Sequence, residues 1–195
     1  MSVSDAWKNI PGWSGDIECF YADLATKIPQ GGTFVEVGVL FGRSLACMGA
    51  LRPDLDLWAV DLWQESSALD CFAEVAAKYP TTWQGFLGLM AEHAPDVLKR
   101  AHVIRAPSTS VTLPMADVVF IDANHEYEFV RDDIIHWSPG VKPGGWLCGH
   151  DYLAPTAENP GYPGVIRAVD EKLGKPNMGP GDWTSCWWHR QWTLL

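Results

Sequence analysis

The sequence contains no CxxC pair, no GxGxxG turn, no block of lysines or arginines and no internal repeat. Each absence removes a class of protein. Five cysteines (Cys19, Cys47, Cys71, Cys148 and Cys186) are an odd number spread widely, which fits reduced thiols, most of them in the core, and neither a disulfide frame nor a zinc knuckle. Only 14 residues are Lys or Arg against 24 Asp or Glu, for a formal net charge of -10. Phosphate backbones and anionic lipid surfaces need clustered cations, so nucleic acid and membrane are excluded as partners. No stretch approaches the roughly eighteen uncharged apolar residues of a membrane span, and the opening MSVSDAWKNIPGW has no basic segment leading into an apolar run. The expected location is the cytoplasm.

What is present is ordinary globular chemistry: 47% apolar and 19% charged residues in 195, enough for one substantial core and, without a linker or low-complexity tract, one domain over residues 1–195. The 11 tryptophans carry no chemistry by number alone, since ring packing accounts for most buried indoles.

Short apolar runs alternate with helical patterns. Ile17, Phe20, Tyr21, Leu24 and Ile28 lie on one face of a helix from Gly15 to Ile28, closed by Pro29-Gln30-Gly31-Gly32. Thr33 to Val37 reads as a strand, Arg43 to Leu51 as a helix and Asp56 to Val60 as a second strand, which together make a β-α-β unit with both C-terminal ends at one edge. Further strands are expected at His102–Arg105, Asp117–Ile121 and Trp146–Cys148, and helices at Glu126–Trp137 and Val165–Leu173. Two last runs, Trp183–Trp188 and Trp192–Leu195, predict an antiparallel pair. Residues 62–100, broken by Pro80 and Pro95, predict two helices or a partial lid. The fold expected is α/β: a Rossmann-like three-layer sandwich on a mostly parallel seven-stranded sheet with an antiparallel C-terminal strand pair.

Candidate chemistry collects where these strands end. In the run from Phe34 to Ser44, Glu36 precedes a turn with Gly38 and Gly42 four apart. Gly38 supplies backbone angles closed to other residues and room for a ligand near the main chain, and Gly42 allows tight packing at the helix start. A carboxylate just before the turn repels a pyrophosphate and favours a cationic ligand. Asp61, ending the second strand one β-α-β unit later, is placed to accept bonds from both hydroxyls of a ribose; a helix cap or a solvated strand end is the plainer alternative. Asp122 ends another strand with His125 three residues on, and His150-Asp151 follows a Lys142-Pro143-Gly144-Gly145 turn and a strand. Asp122, His150 and Asp151 can converge as a metal site, or Asp122 can simply cap the next helix while His125 lies on the surface and His150-Asp151 ends a strand. Tyr152 and Tyr162 flank the same edge. Arg131, Asp132 and Asp133 read as a solvated helix face.

These residues, over about Gly31 to Leu173, resemble the class I methyltransferases that use S-adenosylmethionine (SAM). They resemble most the small-molecule O-methyltransferase branch of the macrocin and cephalosporin type, related to catechol-type enzymes. The resemblance implies that Glu36, Gly38 and Gly42 surround the methionyl part of SAM and Asp61 holds the ribose. Ser44, Ser108 and Asp122 add cofactor contacts. It further implies a divalent metal, magnesium in the family, on Asp122, His150 and Asp151, with His125 as base beside Asp122. His150 departs from the family's oxygen ligands and suits manganese or another transition metal better. The implied partner is a small-molecule acceptor with a sugar or phenolic hydroxyl; a homo-oligomer is compatible with the sequence. Two other functions are left: a SAM-binding module without catalysis, and an NAD-linked oxidoreductase, which the missing GxGxxG and Glu36 disfavour.

Overall fold

Successive side chains of each strand point to opposite faces of a sheet, and that alternation divides the core of the computed structural model, which describes residues 5–13, 15–64, 68–179 and 185–191. The strands are β1 (Thr33–Val37), β2 (Asp56–Asp61), β3 (His102–Arg105), β4 (Ala116–Ile121), β5 (Val141–Gly149), β6 (Asn177–Met178) and β7 (Trp187–Arg190). They form one sheet in the order β3-β2-β1-β4-β5-β7-β6. The first five are parallel to their neighbours, while β7 runs antiparallel to both β5 and β6. The helices are α1 (Gly15–Ala25), α2 (Arg43–Leu51), α3 (Ala68–Cys71), α4 (Ala73–Lys78), α5 (Thr82–His93), α6 (Pro95–Arg100), α7 (Tyr127–Trp137) and α8 (Pro163–Leu173).

Phe34, Leu57, Ala59, Val118, Phe120 and Cys148 face a core shared with α1, α2, α5 and α6. Val35, Val37, Val60, Val119, Ile121 and Leu147 face the opposite core, under α7 and α8. This is the expected three-layer sandwich, Rossmann-like, with its antiparallel C-terminal pair. The chain winds outward from β1 to β3, then returns to lay β4 on the other side of β1. Strand order therefore reverses between β1 and β4, and loops leaving these two strands part to opposite sides, opening a crevice at the C-terminal edge.

Several elements differ from the sequence expectation. The outer partner of β7 is Asn177–Met178, two exposed residues without alternation to announce them; the expected run Trp192–Leu195 lies outside the described residues, as does Trp183. Helix α1 stops at Ala25 because the chain turns early toward Pro29, and β5 begins at Val141, with a register shift opposite Ala116 and Val118. The described residues of the stretch 62–100 form four helices. Phe86, Leu89 and Met90 of α5 are buried in the first core. No helix among the described residues is long and apolar enough to cross a membrane. Cys47, Cys148 and Cys186 are buried, and Cys19 and Cys71 are exposed.

Candidate active site

A cavity of about 1210 Å³ opens at the C-terminal edge, lined by the turns after β1, β2, β3, β4 and β5. Drug-sized ligands occupy pockets of about 300–1,000 Å³, so the volume admits a cofactor and an acceptor together. Among the described residues, three other than glycine have left-handed backbones, Leu40 (φ 50), Trp63 (φ 40) and Asp151 (φ 60), and all three line this cavity. Such conformations persist only where neighbours hold them.

For Leu40 and Trp63 the holding group is Asp61. Its Oδ2 accepts the N–H groups of Val39 at 2.7 Å and Leu40 at 2.9 Å, and its Oδ1 accepts the Trp63 N–H at 2.6 Å. The Trp63 indole then donates to the Leu40 carbonyl at 2.7 Å, so one carboxylate fastens the turns after β1 and β2 to each other. Gly38 has φ +87, and a Cβ there would lie 2.2 Å from the Asp122 carbonyl oxygen and 2.5 Å from the Ala123 Cα. Its missing side chain thus admits the protein's own β4 turn, which brings Asp122 beside the β1 turn. Gly42 has φ +88 and a Cβ would strike Met90 and Phe86 of α5, the tight packing expected of it.

Glu36 is fully buried and lies beneath the cavity, not on its wall. Ser44 Oγ donates to its Oε1, while Oε2 has no hydrogen-bond partner. Burial pushes this carboxyl well up, the Ser44 bond opposes, and the nearby charges of Asp122 and Asp61 push it further. Ser44 itself reaches the wall. Ser108, in the turn after β3, donates to Asp133 Oδ1. Asp133 is only 3% exposed and lines the cavity, which corrects its assignment to a solvated face. It sits with Val130, Ile134 and Trp137 on the buried side of α7, a spacing readable in the sequence. Burial raises its carboxyl to about 6 against the lowering bond from Ser108. Its neighbour Asp132 is exposed and paired with Arg131 at 2.7 Å.

At the other end of the cavity, ligand atoms of Asp122, His125 and Asp151 all lie within 4.8 Å of one another. His125 Nε2 is 2.8 Å from Asp151 Oδ2 and 3.8 Å from Asp122 Oδ1. The closer approach is not aligned as a hydrogen bond, and Nε2 is buried without one. Burial alone lowers the imidazole, but the two carboxylates override it and raise it to about 9. Burial raises Asp122; Asp151, where burial also raises, is pulled down to about 2 by His125 and His150. His150 Nδ1 stands 3.2 Å from Asp151 Oδ1 and 3.7 Å from Asp122 Oδ1, with Nε2 3.0 Å from Ser185 Oγ. The sequence set of Asp122, His150 and Asp151 thus gathers at one place, with His125 reaching further between the carboxylates. Of the two tyrosines, Tyr162 lines the cavity with its ring 4.6 Å from that of His125, whereas Tyr152 is turned to Asp170 at 2.7 Å. Arg43, missed in the sequence, also reaches the wall. Its guanidinium holds Glu18 at 2.7 Å and the carbonyls of Lys8 and Ile10 at 2.7 and 3.0 Å, drawing residues 8–13 along the cavity.

Comparison with known proteins finds the same fold. An O-methyltransferase family protein from Burkholderia thailandensis superposes with a TM-score of 0.64 at 16% identity, covering 93% of this chain and 57% of that one. The chain therefore spans little more than half the length of that relative. A SAM-dependent O-methyltransferase from Thermotoga maritima gives 0.60 at 12% identity, covering 98% and 72%, and a cofactor-bound protein from MTB gives 0.59 at 17%, covering 96% and 85%. At such identities these likenesses show the fold. No curated protein matches the chain in sequence. Residues 35–152, which hold Glu36, the glycine turn, Asp61, Ser108, Asp122, His125, His150 and Asp151, match the model of a methyltransferase domain, and the chain belongs to that family.

Proposed function

We propose that the chain is a SAM-dependent methyltransferase that methylates a hydroxyl of a small molecule, assisted by a divalent cation. The observation that carries this reading is the meeting of Asp122, His125 and Asp151 next to the Gly38 turn, in a cavity that also contains Asp61. Family membership supports methyl transfer, and the relatives from Burkholderia and Thermotoga are described as O-methyltransferases. A third solved structure at TM-score 0.56 and 15% identity, covering 89% of this chain and 76% of its own, is a TDP-rhamnose 3'-O-methyltransferase of calicheamicin biosynthesis.

The donor set fits a metal: the two carboxylates suit magnesium, manganese or a related dication, and the His125 nitrogen beside them, which has no hydrogen bond, stays available as a base. Asp122 and Asp151 supply the oxygen ligands and His150 orients them from behind. Such an ion, when bound, lowers the pKa of a hydroxyl and fixes its oxygen. Asp61 meets a ribose hydroxyl with the remaining acceptor site on Oδ1, since three N–H bonds occupy three of the carboxylate's about four sites. Once the charges on Asp122 and Asp151 are neutralised, His125 falls back toward the ordinary imidazole range and can take the hydroxyl proton on Nε2. The acceptor oxygen then forms its bond to the methyl carbon as the carbon–sulfur bond breaks, releasing S-adenosylhomocysteine.

The test has two arms. Calorimetric titration with Mn²⁺ should show one site in the wild type, weakened about 10–100-fold in Asp151→Asn. Transfer of labelled methyl from SAM to a panel of dihydroxybenzenes and glycosides should stop on chelation and in His125→Ala. Full turnover without any divalent ion removes the metal. SAM binding with no transfer, unchanged by His125→Ala, favours a non-catalytic binding module.

A further inference from the structure

The geometry points to an acceptor that presents its hydroxyl on a ring and carries no negative charge, an inference that rests on the methyltransferase reading above. Six carboxylates line the cavity: Asp61, Asp122, Glu126, Asp132, Asp133 and Asp151. All 14 lysines and arginines of the sequence fall among the described residues, and of these Arg43 alone lines the cavity. Its guanidinium is already engaged by Glu18 and by the carbonyls of Lys8 and Ile10. Among the six acids, Asp132 alone has a guanidinium partner, Arg131, which turns away from the wall. A bound dication, the single net positive charge of SAM and a protonated His125 supply four positive charges against the six carboxylates, which leaves the lining net negative.

Two backbone donors of the glycine turn are also withheld from an anion. A glycine turn leading into a helix is the usual cradle for phosphate. Here the N–H groups of Val39 and Leu40 in that turn already donate to Asp61 Oδ2. An acceptor bearing a phosphate or carboxylate would enter a cavity lined by carboxylates, with two N–H donors of the glycine turn taken, and bringing like charges together there is unfavourable. Nucleotide-linked sugars, the acceptor type named for the calicheamicin enzyme, fall in the rejected group. What the wall does offer beside the carboxylate–histidine group is ring surface. Tyr162 packs on His125, and Phe129 lines the cavity while 58% exposed. An aromatic or sugar ring covers both and can direct a hydroxyl at Asp122 and Asp151.

The experiment uses the full chain loaded with S-adenosylhomocysteine and magnesium. It is titrated with three 1,2-dihydroxybenzenes sharing one ring and differing in one arm: aminomethyl, hydroxymethyl or phosphorylated hydroxymethyl. The phosphorylated compound should bind at least about tenfold more weakly than the other two at low ionic strength. That gap should shrink as salt is added, and in Asp132→Asn, because screening acts on charge and not on shape. Equal or tighter binding of the phosphorylated compound overturns the inference, as does a gap insensitive to salt. Failure of all three to bind the loaded protein overturns the ring assignment. Failure of S-adenosylhomocysteine itself to bind strikes instead at the methyltransferase reading.

Discussion

Replacing Gly38 with alanine separates two effects that a single glycine substitution usually mixes. The backbone at Gly38 has φ +87, and the new Cβ would stand 2.2 Å from the Asp122 carbonyl oxygen. Gly144 has a similar φ of +80 with nothing within 4 Å of a Cβ, so alanine there reports left-handed strain alone. That strain costs about 1–2 kcal/mol. At Gly38 the β4 turn must also move, adding an overpacking cost of about 1–3 kcal/mol. With each kcal/mol worth about 2–4 °C in a chain of this size, Gly144→Ala should lower Tm by about 2–8 °C and Gly38→Ala by about 4–20 °C. The displaced residue is Asp122, so Gly38→Ala should also weaken Mn²⁺ binding at least tenfold while Gly144→Ala leaves it unchanged, about 1.4 kcal/mol against none. Thermal unfolding and calorimetric titration of both variants supply the readouts. Equal losses of stability, or unchanged metal binding in Gly38→Ala, would refute the claim that this glycine exists to bring the β1 and β4 turns together.

Asp61→Asn keeps one carbonyl oxygen but turns an amide toward N–H donors, so it should cost about 1–3 kcal/mol in urea unfolding and weaken SAM binding. Asp133, held at about 6 by burial, keeps its proton to higher pH in the folded protein than in the unfolded chain, where carboxyls titrate near about 3.9. Its contribution to stability is greatest below about pH 4 and declines until about pH 6. Asp133→Asn, which still accepts the Ser108 bond, should therefore gain about 2–3 kcal/mol relative to wild type between acid and neutral pH. A stability difference independent of pH contradicts the burial of that carboxyl. Arg43→Ala removes bonds to two carbonyls and to Glu18, with an expected loss of about 2–3 kcal/mol and faster proteolysis before residue 14.

Strand ends were legible because they obey short-range chemistry. A β-branched run stopping at an acid or glycine located Glu36, Asp61 and Asp122, and the parallel order put Asp61 and Asp122 at one rim with Glu36 below it. The division of labour among these acids was not legible, since it depends on which neighbour reaches them. Asp61 fastens two strained turns through three N–H bonds, a contact pattern that spacing along the chain does not reveal. Glu36 sits on the sheet face toward α2 and so meets Ser44 below the cavity. The position of Asp133 could have been read: it follows Val130 by three and precedes Ile134 and Trp137 on one helical face. Its charge argued for solvent and its spacing for the interior, and spacing prevailed because Ser108 supplies a partner there. The short β6 carried no pattern, its two exposed residues being paired only through β7.

Ligand-dependent thermal unfolding of the wild-type chain bears most directly on the cavity and its donor. SAM at a hundredfold excess over its Kd should raise Tm by about 5–11 °C, corresponding to about 2.7 kcal/mol, with a smaller rise in Asp61→Asn and none from NAD at the same concentration. A rise with NAD and none with SAM would contradict the account at its centre.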